Sequence, residues 1–326
     1  MYWRRFFCFL GEKYGMGAVF ECIPNVSEGR RWPVVELLAE AVRSVASVRL
    51  LDYSADYDHN RSVFTFVGER DALEEAVLNL FAVAEQNIDM HNHTGVHPRI
   101  GAIDVVPFVP LESASMAEAS ALAERVASLV AERFQVPIYL YGESARQPQR
   151  ASLAYLRRGG WEALNKESLQ GEERRPDLGP IQLHSKLGAS CFGARGPLVA
   201  FNVWLNTQDV TIAKKIAAKV RASSGGLSFV KALGLELPSQ KAVQVSMNLT
   251  NPKFTSIYTA FELVKIEARR FGVGILKSEL IGCLPLQAMS DCFSYYLQMP
   301  DFTPQRTVES GLLDLYKIPS HSTHGL

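Results

Sequence analysis

Val48-Arg-Leu-Leu-Asp-Tyr-Ser-Ala-Asp-Tyr-Asp-His-Asn-Arg-Ser-Val-Phe-Thr-Phe-Val-Gly68 is the stretch that decides the fold. Residues 48–54 and 61–68 alternate apolar and polar side chains with many β-branched and aromatic members, the pattern of half-buried strands. The polar run Ala55–Asn60 between them has the Asp and Asn content of a turn. Working outward, residues 18–24 (AVFECIP) read as a short strand. An apolar-periodic helix then runs from Pro33 to about Ser47, with proline at its start, where a missing N–H costs little. On the other side, Arg70–Asn87 has helical spacing, and residues 102–110 (AIDVVPFVP) read as a strand. The order is β-α-β-β-α-β, that of the ferredoxin-like split βαβ. A further helix (115–133) and strand (136–142) follow.

From Ala151 to Gly188 the pattern loosens into runs such as RRGG and EERRPDLGP, which read as a surface crossing. The order then repeats. Residues 197–205 form a strand and Gln208–Ser223 a helix. Residues 227–237 and 242–250 are paired strands, Ile257–Phe271 a helix, and 272–282 a closing strand, with a last helix over Leu286–Leu297. The expected class is therefore α+β, two tandem ferredoxin-like (βαββαβ) subdomains with a ligand groove between them. The partition is 16–193 and 194–300. Residues 1–15 read as a disordered extension or miscalled start, and 301–326 as a tail.

Composition narrows the function. Of the 326 residues 47% are hydrophobic, enough for full-sized cores. Lys and Arg total 34 and so do Asp and Glu, so no charge excess points to nucleic acid or an anionic membrane. No run approaches the ~18 apolar residues of a membrane span. The five cysteines are scattered without a CxxC pair, which suits a reducing, cytoplasmic setting. Cys191 reads as a small buried side chain rather than a nucleophile, because no fixed basic partner is evident.

Polar chemistry collects in Asp89-Met-His-Asn-His-Thr-Gly-Val-His-Pro-Arg-Ile-Gly-Ala-Ile-Asp104, which holds three of the seven histidines. Three readings compete. His91-x-His93-x3-His97 has a spacing that could hold a metal, with i and i+2 ligands sharing a face of an extended loop. The histidines could instead be satisfied by loop backbone, the favoured reading for His91 and His93. Finally, His97 could act as an acid–base catalyst, with Pro98 restricting it to extended geometry and Arg99 beside it as a fixed cation. Elsewhere, Asn60 and Arg61 at a strand mouth suit carboxylate recognition, with His59 beside them. Arg30 closes the segment Pro24–Arg30. The crossing carries Gly179, Pro180, His184 and Gly188, where glycines would let backbone approach a flat ligand. Neither a GxxxxGK[ST] loop nor a GxSxG elbow occurs.

Taken together, ECIPNVSEGR, DHNRSVFTFVG, GVHPRIGAIDVVPFVP, VPIYLYGESAR, PDLGP…H…GAS…GAR and LVAFNVWL, in this order over about residues 19–298, resemble the formiminotransferase family, in the form of its microbial glutamate formimidoyltransferases. The resemblance implies two ferredoxin-like subdomains with folate between them, a homodimer, and His97 as the catalytic histidine. It carries folate contact to Gly179, Pro180, His184 and Gly188. Two positions depart from the pattern: Val96, where many relatives have Glu, and Ser54, where animal relatives have an acid that Asp56, Asp58 or His59 would have to replace.

The activity so implied is attack by N5 of tetrahydrofolate, a co-substrate, on the amidine carbon of formiminoglutamate, with no metal. Arg61, Arg99 and Arg30 are the candidates for carboxylates of glutamate or of the folate tail. Rival readings are formyl rather than formimino transfer, a non-catalytic folate- or amino-acid-binding module, and a metal-dependent amidohydrolase. The stretch after Pro300 is expected to be too short for a cyclodeaminase.

Overall fold

The computed structural model describes residues 17–310 apart from 112, 113, 167, 168 and 170. The expectations for residues 1–15 and for the tail beyond 310 lie outside these. Two sheets carry the chain. The first contains β1 (Val19–Cys22), β2 (Asn25–Val26), β3 (Val48–Asp56), β4 (Arg61–Glu69), β5 (Ile103–Pro110), β6 (Ile138–Gly142) and β7 (Ser190–Ala194). β3 and β4 form the hairpin expected from their alternation, in register from Val48↔Gly68 to Asp56↔Arg61. The strand expected over 18–24 is β1, which ends at Ile23–Pro24, where proline has no N–H for the ladder; β2 just beyond it was not expected. Both pair antiparallel with β4 on one side and β5 on the other.

Helices α1 (Trp32–Arg43), α2 (Arg70–Asn87) and α3 (Met116–Phe134) pack on one face of this sheet. α1 begins with Pro33 as expected and buries Val34, Val35, Leu38, Ala39 and Val42. α3 starts on a capping box in which Ser115 and Glu118 satisfy each other's backbone N–H groups. Phe20, Phe64, Phe66 and Phe108 point into this layer and are fully buried. Truncating one of them to Ala would cost about 3–5 kcal/mol.

The sequence reading has no strand at the end of the crossing, and the structure corrects this. β7 pairs in parallel with both β5 and β6. All five of its residues are buried, so it lacks the alternation that betrays a half-buried strand. The crossing also contains two short helices, α4 (Leu153–Leu156) and α5 (Gly160–Leu164), whose Leu156 and Leu164 cover Tyr139, Tyr141 and Cys191 on the sheet face away from α1–α3. Cys191 is indeed buried, and burial pushes its thiol far above the usual range.

The second sheet has the order β11-β8-β10-β9, with β8 (Val199–Leu205), β9 (Val230–Leu237), β10 (Ala242–Leu249) and β11 (Ile275–Ile281) all antiparallel to their neighbours. α6 (Val210–Val220) and α7 (Ile257–Arg270) connect β8 to β9 and β10 to β11 and share its apolar cluster, separate from that of the first sheet. α8 (Leu286–Leu297) follows. The coarse α+β expectation holds. Among the described residues no helix is long and apolar enough to cross a membrane.

Candidate active site

Strand alternation builds the site. In β4, Phe64 and Phe66 enter the helix layer, while Arg61, Val63 and Thr65 face the other way. Glu21, Asn25, Val105 and Pro107 do the same on β1, β2 and β5, and Ala200, Asn202, Ser246, Asn248 and Glu279 on the second sheet. These outward side chains line one groove of about 190 Å³ to which both sheets contribute. His59, His97 and Arg157 also line it.

His97 sits in the loop between α2 and β5. That loop docks on the β3–β4 turn: Val96 N donates to Asp58 O at 3.2 Å, and Asn60 Nδ2 to Thr94 O at 3.0 Å. A Cβ on Gly95 would lie 2.2 Å from His59 O, so glycine is what permits the approach. The His97 and His59 rings are 5.6 Å apart between centroids and tilted by 48°. His97 Nδ1 lies 2.8 Å from Pro98 O, which accepts the ring N–H and leaves the lone pair on Nε2. Although half-buried and open to the groove, the imidazole is held well below the usual histidine range by burial, reinforced by Arg61, Arg157 and His59. It is therefore uncharged at neutral pH. His59 is lowered too, mainly by burial, with Asp56 and Glu279 opposing.

The positive field has a specific source. Asp104, fully buried, receives Arg61 Nη1 at 2.9 Å and Arg157 Nη2 at 2.5 Å, and also accepts the Ile100 N–H. Burial would raise its carboxyl, but the two guanidiniums outweigh that and lower it. One carboxylate between two guanidiniums leaves a net positive charge beside His97, suited to an anionic ligand. Arg61 is further oriented by Asn25 Oδ1, at 2.9 Å from Nη2. Arg157 was not legible as a site residue, because the helical crossing that delivers it reads as a linker. Asp104 appears in the histidine-rich segment but nothing local assigns it a role.

The structure brings His97, His59, Arg61 and Asp56 to one groove and places the other candidate residues elsewhere. Asn60 is scaffold: it adopts φ +48°, and its Oδ1 accepts Gly29 N. Arg30 reaches Tyr57 O and Thr94 Oγ1 and stacks over Tyr57. Arg99 is committed to His93 Nδ1 at 3.0 Å and to both Glu162 oxygens. His93 donates through Nε2 to Asn60 O, and His91 pairs with Asp89 against the edge of Trp161. The three loop histidines thus face three different sets of partners and do not converge. Among the described residues no group of three His, Cys, Asp or Glu side chains is placed to hold a metal ion.

Gly179, Pro180, His184 and Gly188 do not line this groove. Gly179 (φ +82°) and Pro180 border a separate shallow pocket beside α3. His184 Nδ1 accepts Leu187 N at 2.9 Å, closing a tight turn to Gly188. Gly188 (φ +71°) lies against Ile100 and Gly101, behind the His97 loop. Of the residues near the Ser54 departure, Asp56 lines the groove and caps His59 N, while Asp58 accepts both Ser239 N and Ser239 Oγ.

Comparison with known proteins adds an independent finding. A family model described as formiminotransferase domain, N-terminal subdomain, matches residues 19–195, and one described as formiminotransferase domain matches residues 200–307. The chain is 44% identical over 287 residues to a glutamate formimidoyltransferase of Streptococcus pyogenes, covering 88% of this chain and 96% of the relative. It is 44% identical over 293 residues to one of Thermoplasma acidophilum, covering 90% and 96%. A formimidoyltransferase-cyclodeaminase of Rattus norvegicus is 37% identical over 288 residues, of which this chain spans 53% of the length.

Proposed function

The chain belongs to the formiminotransferase family, and from that we propose that it moves the formimino group of N-formimino-L-glutamate to N5 of tetrahydrofolate, giving 5-formiminotetrahydrofolate and L-glutamate. The observation that carries this reading is an uncharged imidazole, His97, in a groove beside the surplus charge of Arg61 and Arg157. The groove lies between two units, 16–193 and 194–300, taken here as tandem ferredoxin-like subdomains. The strand order β11-β8-β10-β9 and the two separate apolar clusters support that partition.

In the mechanism, N5 attacks the amidine carbon and becomes cationic as the C–N bond forms. Nε2 of His97 takes the N5 proton. The bond from that carbon to the glutamate nitrogen then breaks, and the protonated His97 returns its proton to the departing nitrogen. Atoms and charges balance with no covalent enzyme intermediate. Acid–base assistance of this kind contributes about 10²–10⁴-fold. Alignment of the two substrates contributes more, since effective molarities can reach ~10⁵ M. Arg157 and Arg61 are the groups for a substrate carboxylate; Arg30 and Arg99 are spent on their own neighbours. A second copy of the chain is the natural partner, supported by exposed Leu286, Met289 and Leu297 on α8.

The test is a transfer assay with tetrahydrofolate and either formiminoglutamate or formylglutamate. Folate-dependent release of glutamate from formiminoglutamate is expected. Ammonia or formamide release without folate would point to a hydrolase, and ligand binding without turnover to a binding module.

A further inference from the structure

The groove is not uniformly positive. Asp104, Arg61 and Arg157 make one side cationic, whereas Glu279 on β11 lines the same groove from the second sheet. Asn202 Nδ2 donates to one Glu279 oxygen at 3.1 Å, which orients the carboxylate, while the other oxygen has no donor among the described residues. Glu279 is close enough to His59 for its charge to act on that ring, and His59 is 5.6 Å from the ring of His97. An anion-accepting side beside His97 and a carboxylate facing the neighbouring His59 ring therefore share one groove.

We propose that Glu279 receives the formimino group itself and makes this enzyme select a formimino over a formyl donor. The inference rests on the formimino-transfer reading above and assigns the residue that decides between its two donors. An alkyl amidine is a strong base and is protonated at neutral pH, so the donor carries a cation at one end and carboxylates at the other. A formyl donor carries only the carboxylates. With its carboxylates drawn towards Arg61 and Arg157, the donor presents its amidinium to Glu279, and the carbon between the two nitrogens lies at His97. Keeping the amidine protonated also keeps that carbon electrophilic until N5 has attacked. Asp56 also lines the groove, with its Oδ1 held by the His59 N–H, and Glu21 is the remaining groove carboxylate that could compete for this role. Burial raises its carboxyl and Arg195 is its cationic neighbour, so it offers less free negative charge.

The experiment compares Glu279→Gln with the parent chain, measuring kcat/KM for formiminoglutamate and for formylglutamate with tetrahydrofolate. Glutamine retains a partner for Asn202, and thermal melting checks the fold. The expected result is that the formimino-to-formyl ratio falls by about 10- to 100-fold, the range of a charge-assisted hydrogen bond. Formylglutamate turnover should change little, and Glu279→Asp should recover part of the ratio. Equal losses with both donors would make Glu279 merely structural and overturn the inference, as would a ratio that falls in Glu21→Gln but not in Glu279→Gln. If the parent chain transfers neither donor, the formimino-transfer reading itself fails, and this inference falls with it.

Discussion

His59 Nε2 and Gln244 Nε2 lie 2.8 Å apart, joining the β3–β4 turn of the first sheet to β10 of the second. Both side chains are buried. With Asp58 bound to Ser239 one residue away, this contact closes the end of the groove where His97 lies. The surroundings of His97 therefore depend on both halves.

Gln244→Leu removes that link and leaves a buried imidazole nitrogen without its partner. A stability loss of about 1–3 kcal/mol is expected from urea unfolding. Because His59 then loses its restraint beside His97, kcat should also fall.

His97→Ala should lower kcat by about 10²–10⁴-fold while the melting temperature stays close to that of the parent chain. Among the described residues the ring makes one hydrogen bond, to the carbonyl of its neighbour Pro98, so little folding energy depends on it. Turnover within a few-fold of normal would remove His97 from the mechanism.

The pH response follows from four histidines. His59, His93, His97 and His184 are all lowered, first by burial. The unfolded chain then binds protons that the folded chain refuses. Stability is fully present above the unfolded value near ~6.5 and is lost as pH falls below it. Urea midpoints should be flat from pH 8 to 7 and decline under about pH 6.5. The acid limb of kcat/KM should likewise lie below ~6.5, because the base must be neutral. A limb above that value would contradict the assignment.

Asp104→Asn keeps the shape but strands two guanidiniums around a neutral amide. Breaking one partner of a buried ion pair typically costs about 3–5 kcal/mol. Chemical denaturation should show a loss of that order, larger than for any exposed pair such as Arg158–Glu173.

Gly188→Ala separates a structural from a folate-contacting role for the crossing. A side chain at φ +71° is strained by about 1–2 kcal/mol. Its Cβ would also meet Ile100 O at 2.5 Å. The expected outcome is lower thermal stability with the tetrahydrofolate KM of the surviving enzyme little changed; the reverse would favour direct folate contact.

Much of the fold could be read from periodicity, but not all. α1, α2 and α7 each have one apolar face and one wet face, and β3 and β4 alternate in sequence around a polar turn, so their patterns were plain. β7 is buried throughout and carries Gly193, whose Cβ would lie 2.1 Å from Tyr141 O. That combination looks like a linker until the neighbouring strands are in place. In the site, His97 was marked by its motif, and Arg61 by its position at a strand mouth. Arg157, Gln244 and Glu279 had no motif to mark them, since each reaches the groove from a segment distant in sequence, and Asn202, though inside LVAFNVWL, had nothing local to assign it a role.

By itself the sequence determined the family and, β2, β7 and the crossing helices apart, the order of elements, and it singled out His97 as the candidate, because alternation, helical spacing and a specific series of motifs are local properties of a chain. Tertiary structure alone decided which arginines meet the histidine. Arg99, the immediate choice by sequence, turns away to His93 and Glu162, while Arg157, from the crossing, comes to Asp104. The reason is electrostatic: a buried carboxylate must be compensated. The groups that compensate Asp104 are those the folded chain brings within reach, however far apart they lie in the sequence.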